Sequence, residues 1–206
     1  MDGTQKDTLR VEAFSDSVFA FAITLLSLDL RKPMAGIIHN NTDLVNYLKH
    51  EWPAYLAFLF SFLSILIMWI NHHSMFKRIR SVNSSIMFAN GFMLLLVISV
   101  PFSTSLVAEY YRSAAANVAA AVYAGSFVLI NISYNLLWHT ASKDRQMLMP
   151  DTSARFVSTM QRNLLIGLPS YILAFTLAFV NVNVALGICF LLWVFWGILT
   201  RRIQAH

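Results

Sequence analysis

Charge is the scarcest commodity in this chain. Only 12% of its 206 residues are Asp, Glu, Lys or Arg, where a water-facing domain uses about a quarter. The mean hydropathy is +0.59, so an ordinary soluble surface is excluded. Cysteine is almost absent. The one cysteine, Cys189, lies in the last apolar stretch, which excludes an intramolecular disulfide framework and leaves it a small lipid- or helix-facing residue. Internal repeats, low-complexity segments and long linkers are missing as well. No His/Cys/Asp/Glu cluster has the spacing of a metal site, and the spans carry only scattered Ser and Thr in place of a nucleophile constellation, so an enzyme is not expected. The net charge of +5 does not point to nucleic acid, because the basic residues follow the loops and form no stripe or groove.

What the chain does have is apolar stretches of about twenty residues, the length that crosses a hydrocarbon core at 1.5 Å per residue. Six are placed near Val11 to Leu30, Trp52 to Ile70, Ile86 to Val107, Ala114 to Trp138, Leu164 to Val180 and Val182 to Leu199. They predict an all-α integral membrane protein, residues 1–206 forming a single domain. Little is left for a folded ectodomain or a tethered soluble enzyme. Lys6, Arg10, Lys77, Arg78, Arg80, Lys143, Arg145, Arg155, Arg162, Arg201 and Arg202 fall on one side of this topology, against Arg31, Lys32, Lys49 and Arg112 on the other. Eleven against four predicts a multi-pass protein of the cell membrane with both termini in the cytoplasm. Trp52, Trp69, Trp138, Trp193 and Trp196 lie in or near span ends as interfacial anchors, and Pro53 occupies a first-turn position. The segment Pro33 to His50 reads as a polar external loop and Lys143 to Gln161 as a cytoplasmic one with room for a short amphipathic helix. A tight turn at Asn181 makes the last two spans a hairpin. Asp16 and the apolar run through Leu28 argue against a cleaved signal peptide.

The first span carries Ser15, Asp16, Ser17, Thr24 and Ser27. A carboxylate inside a span costs several kcal/mol unless it meets a partner or water, so this helix must be buried in protein. At about 100° per residue, Leu25 and Leu28 fall within about 40° of Phe21 and Thr24 about 60° to one side, whereas Asp16 points about 140° away. By spacing alone the apolar stripe reads as lipid contact or helix packing. Arg10 lies on a different face from Asp16, and Glu12 at i−4 would worsen its charge. The partner is therefore sought on another helix. The candidates are Trp69, Asn71, His72 and His73 at the end of the second span, all able to donate to a carboxylate. Two histidines at a span end are also what a solvated interface carries, and adjacent histidines on a helix diverge too far to chelate a metal.

Arg10, Phe14, Ser15 and Asp16 form an Arg-x-x-x-Phe-Ser-Asp signature that resembles that of the transmembrane protein 175 family, and the run Val18 to Leu26 continues the likeness. The Trp69 to His73 segment, the Asn90 region and Pro101-Phe-Ser-Thr are similar to later parts of that family, and Arg10, Phe14, Ser15 and Asp16 are expected to form one structural polar network with Trp69, Asn71, His72 and His73. The resemblance implies a potassium-permeable channel with one six-helix unit per chain, assembled as a homotetramer around a central pore lined by the first helices. Large apolar residues narrow that pore. The matching positions here are Phe21, Leu25 and Leu28, with the selectivity-linked threonine at Thr24. The family has Ile or Leu where this chain has Phe21, whose wider, flat ring bears on pore radius and not on fold.

The chain holds no Thr-Val-Gly-Tyr-Gly loop, so a carbonyl filter is excluded and an apolar ring that gates by dewetting takes its place. A ring of Thr24 hydroxyls would favour potassium, which sheds water more easily than sodium. Asp29 at the other end of the helix would either concentrate cations or be an ordinary solvated carboxylate. The expected associates are other copies of the chain, the lipid bilayer, and potassium with other monovalent cations or protons as permeant species, with no cofactor and no nucleic acid. The rival class is a proton- or ion-coupled small-solute transporter. Such proteins usually show inverted repeats or Gly/Pro-broken helices, and the first span has neither.

Overall fold

The computed structural model describes residues 3–30 and 38–204, with side chains described for 7–28, 30 and 38–198. The described residues are all-α. Helix α1 runs Gly3–Leu25 and tightens into a 3-10 turn at Leu26–Asp29; α2 is Asn41–His50, α3 Trp52–Phe76, α4 Ser84–Ile98, α5 Val100–Tyr110, α6 Ala116–Ser142, α7 Ala154–Ala178 and α8 Val182–Gln204. Among the described residues four segments are long and apolar enough to cross a membrane: Asp7–Leu28, Trp52–Phe76, Ser84–Tyr110 and Ala116–Ser142. Val182–Ile198 is a shorter apolar stretch, and α7 carries Arg155, Gln161 and Arg162 in its first half.

Local chemistry sets the helix starts. The Asn40, Asn83 and Ser153 side chains accept the backbone N–H groups of Asp43, Ile86 and Phe156, each satisfying one orphan donor of a first turn. Asn40 is the reason that part of the expected polar loop is instead the amphipathic helix α2. Asn181 Oδ1 accepts from the N–H groups of Asn183 (2.9 Å) and Val184 (3.2 Å) and turns α7 into α8. The third apolar stretch is broken at Ser99 between α4 and α5. Pro101 has no N–H to offer Val97, and its ring crowds that carbonyl. The Ser99 hydroxyl donates to Leu96 O (2.7 Å) at the break.

Helix α6 is the hub, packed on α4, α5, α7 and α8, while α1 lies on α3, α4 and the start of α5. Trp138, Phe127 and Leu137 of α6 are fully buried in the common core. No separate amphipathic helix forms between Lys143 and Gln161, and the last part of that segment is the start of α7. A 3-10 turn at Arg145–Met147 leads into an antiparallel bridge between Ile79 and Leu148, and α7 begins soon after. The bridge is made of backbone bonds, Arg80 N–H to Met147 O (2.8 Å) and Met149 N–H to Arg78 O (2.9 Å). It clasps two loops far apart in sequence, and Thr8 at the base of α1 donates to Arg80 O (3.2 Å) beside it.

Gly167 has the nearest neighbours of the described glycines. A Cβ there would lie 2.7 Å from Trp196 Cζ2 and 2.8 Å from Asn131 Nδ2, so α6, α7 and α8 meet only because the side chain is absent, as small residues permit in membrane bundles. Gly167→Ala is expected to cost about 2 kcal/mol by overpacking and to lower the thermal unfolding midpoint of the detergent-solubilised protein. An unchanged midpoint would show that Trp196 swings aside freely.

Candidate functional site

Helix α1 has two chemically opposite faces. Ser15, Phe19, Ala22 and Leu26 are fully buried, at the i, i+4, i+7, i+11 spacing of a packed stripe, and they seat the helix on α3 and α4. Around this stripe runs a polar network. Asp16 accepts from Trp69 Nε1 at 2.8 Å, which joins the carboxylate to the end of α3. His73 Nδ1 lies 2.8 Å from Glu12 Oε1, and its ring stacks on Trp69 with centroids 5.8 Å apart. Asn90 of α4 ties the layers together: its Nδ2 donates to Ser15 Oγ (2.9 Å), and its Oδ1 lies 2.9 Å from His72 Nε2. The Ser15 hydroxyl in turn donates to Val11 O at 2.8 Å. The donors therefore run one way, from His72 Nε2–H through Asn90 and Ser15 to the α1 backbone. The His72 ring is fixed between Phe19 (5.3 Å) and Phe76 (4.3 Å), and its Nδ1 has no hydrogen-bond partner.

Four sequence expectations are altered here, the first being that Phe14, expected in the polar network, is 62% exposed and lies on the opposite face of α1. Arg10 is exposed and pairs with no described residue, because its place on the helix turns it away from the α3 side where Asp16 and Glu12 are held. Ser15 reaches the His72 segment only through Asn90. Asn71 borders a small cavity of about 60 Å³ with Asn131 between α3, α6 and α7. Glu12, expected only to repel Asp16, instead takes His73. Asn90 carried no signal in the residues themselves, since a lone Asn in an apolar stretch does not announce its partners.

The opposite face of α1 is left mostly uncovered by the described residues. Phe14, Phe21 and Leu28 are 62%, 54% and 74% exposed, and Ser17 and Thr24 between them are exposed as well. Alternating steps of three and four residues make this one continuous stripe along the helix. Leu25 is half covered and sits at its margin. Thr24 Oγ1 donates to Phe21 O at 2.8 Å and Ser17 Oγ to Ala13 O at 2.9 Å. Each hydroxyl proton is thus committed to the helix backbone, and each oxygen presents lone pairs outward. Asp29 lies outside the described side chains, as do Arg31 and Lys32. Among the described residues no group of three or more His, Cys, Asp and Glu side chains could hold a metal ion.

Comparison with known proteins agrees with this arrangement. Residues 10–101 match the family model described as endosomal/lysosomal potassium channel TMEM175. A potassium channel from Chamaesiphon minutus is 43% identical over 195 residues, covering 94% of this chain and 95% of that protein. A potassium channel from Streptomyces collinus is 38% identical over 189 residues, covering 91% and 90%. The crystal structure of a lysosomal potassium-selective channel TMEM175 homolog from Chamaesiphon minutus superposes with a TM-score of 0.85 at 41% identity, covering 95% of this chain and 99% of that one. Likeness along nearly the whole chain, in sequence and in fold, means that the chain belongs to the TMEM175 family.

Proposed function

We propose that this protein is a potassium-permeable cation channel in which α1 lines the conduction path. The observation that carries the reading is the uncovered stripe of Phe14, Ser17, Phe21, Thr24 and Leu28, an apolar face broken at regular intervals by acceptor oxygens, on a helix whose other face is anchored by buried polar bonds. One such stripe cannot enclose a path. Four copies of the chain arranged as a homotetramer close it, each contributing six spans: α1, α3, α4 with α5, α6, α7 and α8. The basic loops place both termini in the cytoplasm. The relatives named as potassium channels support potassium as the permeant ion, and conduction needs no cofactor.

In this reading Phe21, with Leu25 and Leu28, forms rings that exclude water when narrow and admit a partly hydrated cation when slightly wider. Thr24 sits one turn from Phe21 with its oxygen free to accept a cation. Asp16, Trp69, His72, His73, Ser15 and Asn90 hold the helix in orientation and do not meet the ion. Purified protein in liposomes, with potassium on one side and sodium on the other, tests the function: a passive current reversing near the potassium equilibrium potential is expected. Transport that requires a second ion gradient would assign a coupled carrier instead. Thr24→Val keeps the side-chain shape and deletes the oxygen, and is expected to lower the potassium preference about fivefold, a ~1 kcal/mol effect in line with one polar contact. An unchanged reversal potential would leave Thr24 as a helix-packing hydroxyl.

A further inference from the structure

Gly187 of α8 is the opposite of Gly167: a Cβ built on it would have nothing within 4 Å. A glycine in a membrane helix ordinarily lets a neighbouring backbone come close, yet none of the described residues packs against the open side of this one. It lines a cleft of about 300 Å³ between α3 and α8, walled by Ala57, Phe60, Val107 and Leu186 and reaching inward to Trp193. From Asn183 to Trp193 the cleft follows α8 for about 15 Å at 1.5 Å per residue, half of a ~30 Å hydrocarbon core. Its length thus matches one leaflet.

The mouth is chemically different. Tyr111 OH donates to Asn183 Oδ1 at 2.7 Å, the Trp52 and Tyr111 rings meet edge to face at 5.4 Å, and the Arg112 guanidinium lies 5.6 Å above the Trp52 ring. Arg112 is exposed and pairs with no carboxylate of the described residues. Trp and Tyr collect at the headgroup level of a bilayer, and a guanidinium there is matched to a phosphate. An apolar slot one leaflet deep, opening beneath a cation that no carboxylate of the described residues pairs with, has the shape and charge of a phospholipid.

We propose that the cleft holds an acyl chain of an anionic phospholipid whose phosphate is bound by Arg112. The inference needs the membrane setting and is independent of what the channel conducts. A ligand that binds the folded protein raises its melting temperature by mass action. Full-length purified protein in detergent is therefore titrated with phosphatidylglycerol, with phosphatidylcholine of the same chains and with inorganic phosphate, and lipid retention is followed by native mass spectrometry. Phosphatidylglycerol is expected to stabilise more than phosphatidylcholine, and phosphate alone hardly at all. Arg112→Gln is expected to weaken phosphatidylglycerol about tenfold, which is 1.4 kcal/mol, bringing it level with phosphatidylcholine. Gly187→Leu projects a side chain into the slot from a Cβ with open space around it and is expected to weaken both lipids. Equal stabilisation by the two lipids, stabilisation by phosphate as large as by phosphatidylglycerol, or unchanged phosphatidylglycerol binding in Arg112→Gln would each overturn the proposal. The last variant changes an exposed side chain, so it reports even where Gly187→Leu does not fold. Potassium flux through the same preparations tests the channel reading separately.

Discussion

Replacing Phe21 by alanine is expected to raise potassium current through the reconstituted protein about tenfold. Phe21 projects from the uncovered face of α1, so in a homotetramer the substitution removes a ring of four phenyl groups from one level of the path. A barrier change of about 1.4 kcal/mol gives the tenfold rise, and this is less than the roughly 1.5–3 kcal/mol that water sets against a single exposed Phe side chain. Leu28 and the half-covered Leu25 remain as further narrowings, so the double change Phe21→Ala with Leu25→Ala is expected to exceed the single one. Lipid contact by the same face predicts almost no change in current. Phe21→Cys adds an independent measurement, because the native Cys189 is buried and a water-soluble thiol reagent then reaches position 21 alone. Failure of both block by the reagent and current gain in Phe21→Ala would remove Phe21 from the path.

The second large effect is expected at Asn90, where Asn90→Leu should cost about 2 kcal/mol and lower the melting temperature of the purified protein. Leucine has the size of asparagine but leaves the buried His72 Nε2–H without its acceptor and Ser15 without its donor, and a buried unpaired polar group costs about 1–3 kcal/mol. Asp16→Asn is expected to cost less, about 1 kcal/mol, because the amide oxygen can still accept from Trp69. Unfolding midpoints of the two variants check the order. An Asn90→Leu protein as stable as the unchanged chain would show that the His72 chain of bonds merely fills space.

Spacing alone leaves the Phe21 stripe as lipid contact or helix packing, and only the family resemblance points it toward a pore. Twenty-residue apolar runs and the paucity of charge read directly as membrane helices, because length and composition are local properties. Asp16 could be read as needing a donor from another helix, and Trp69 supplies one. Glu12 and Asn90 escaped, since a charge computed against its own helix neighbours says nothing about a histidine on a helix packed beside it. The break at Ser99 was legible in Pro101 but was masked by the unbroken apolar run around it. The capping Asn40 was likewise visible without its helix being drawn. The clasp at Ile79 and Leu148 could not be read at all, as no side-chain pattern specifies a single backbone bridge across most of three helices.

That clasp constrains how the chain can change over evolutionary time. Its bonds join main-chain N–H and C=O groups at Arg78, Arg80, Met147 and Met149, so they tolerate nearly any side chain other than proline at the donating positions. The exposed positions of the two loops are thereby free to drift in composition, while Ile79 and Leu148 are held by burial in the core and the loop lengths are fixed by the bridge. Insertions or deletions between Lys77 and Asn83, or between Lys143 and Ser153, slip the bridge out of register, and should be far rarer among descendants of this sequence than substitutions at the same places.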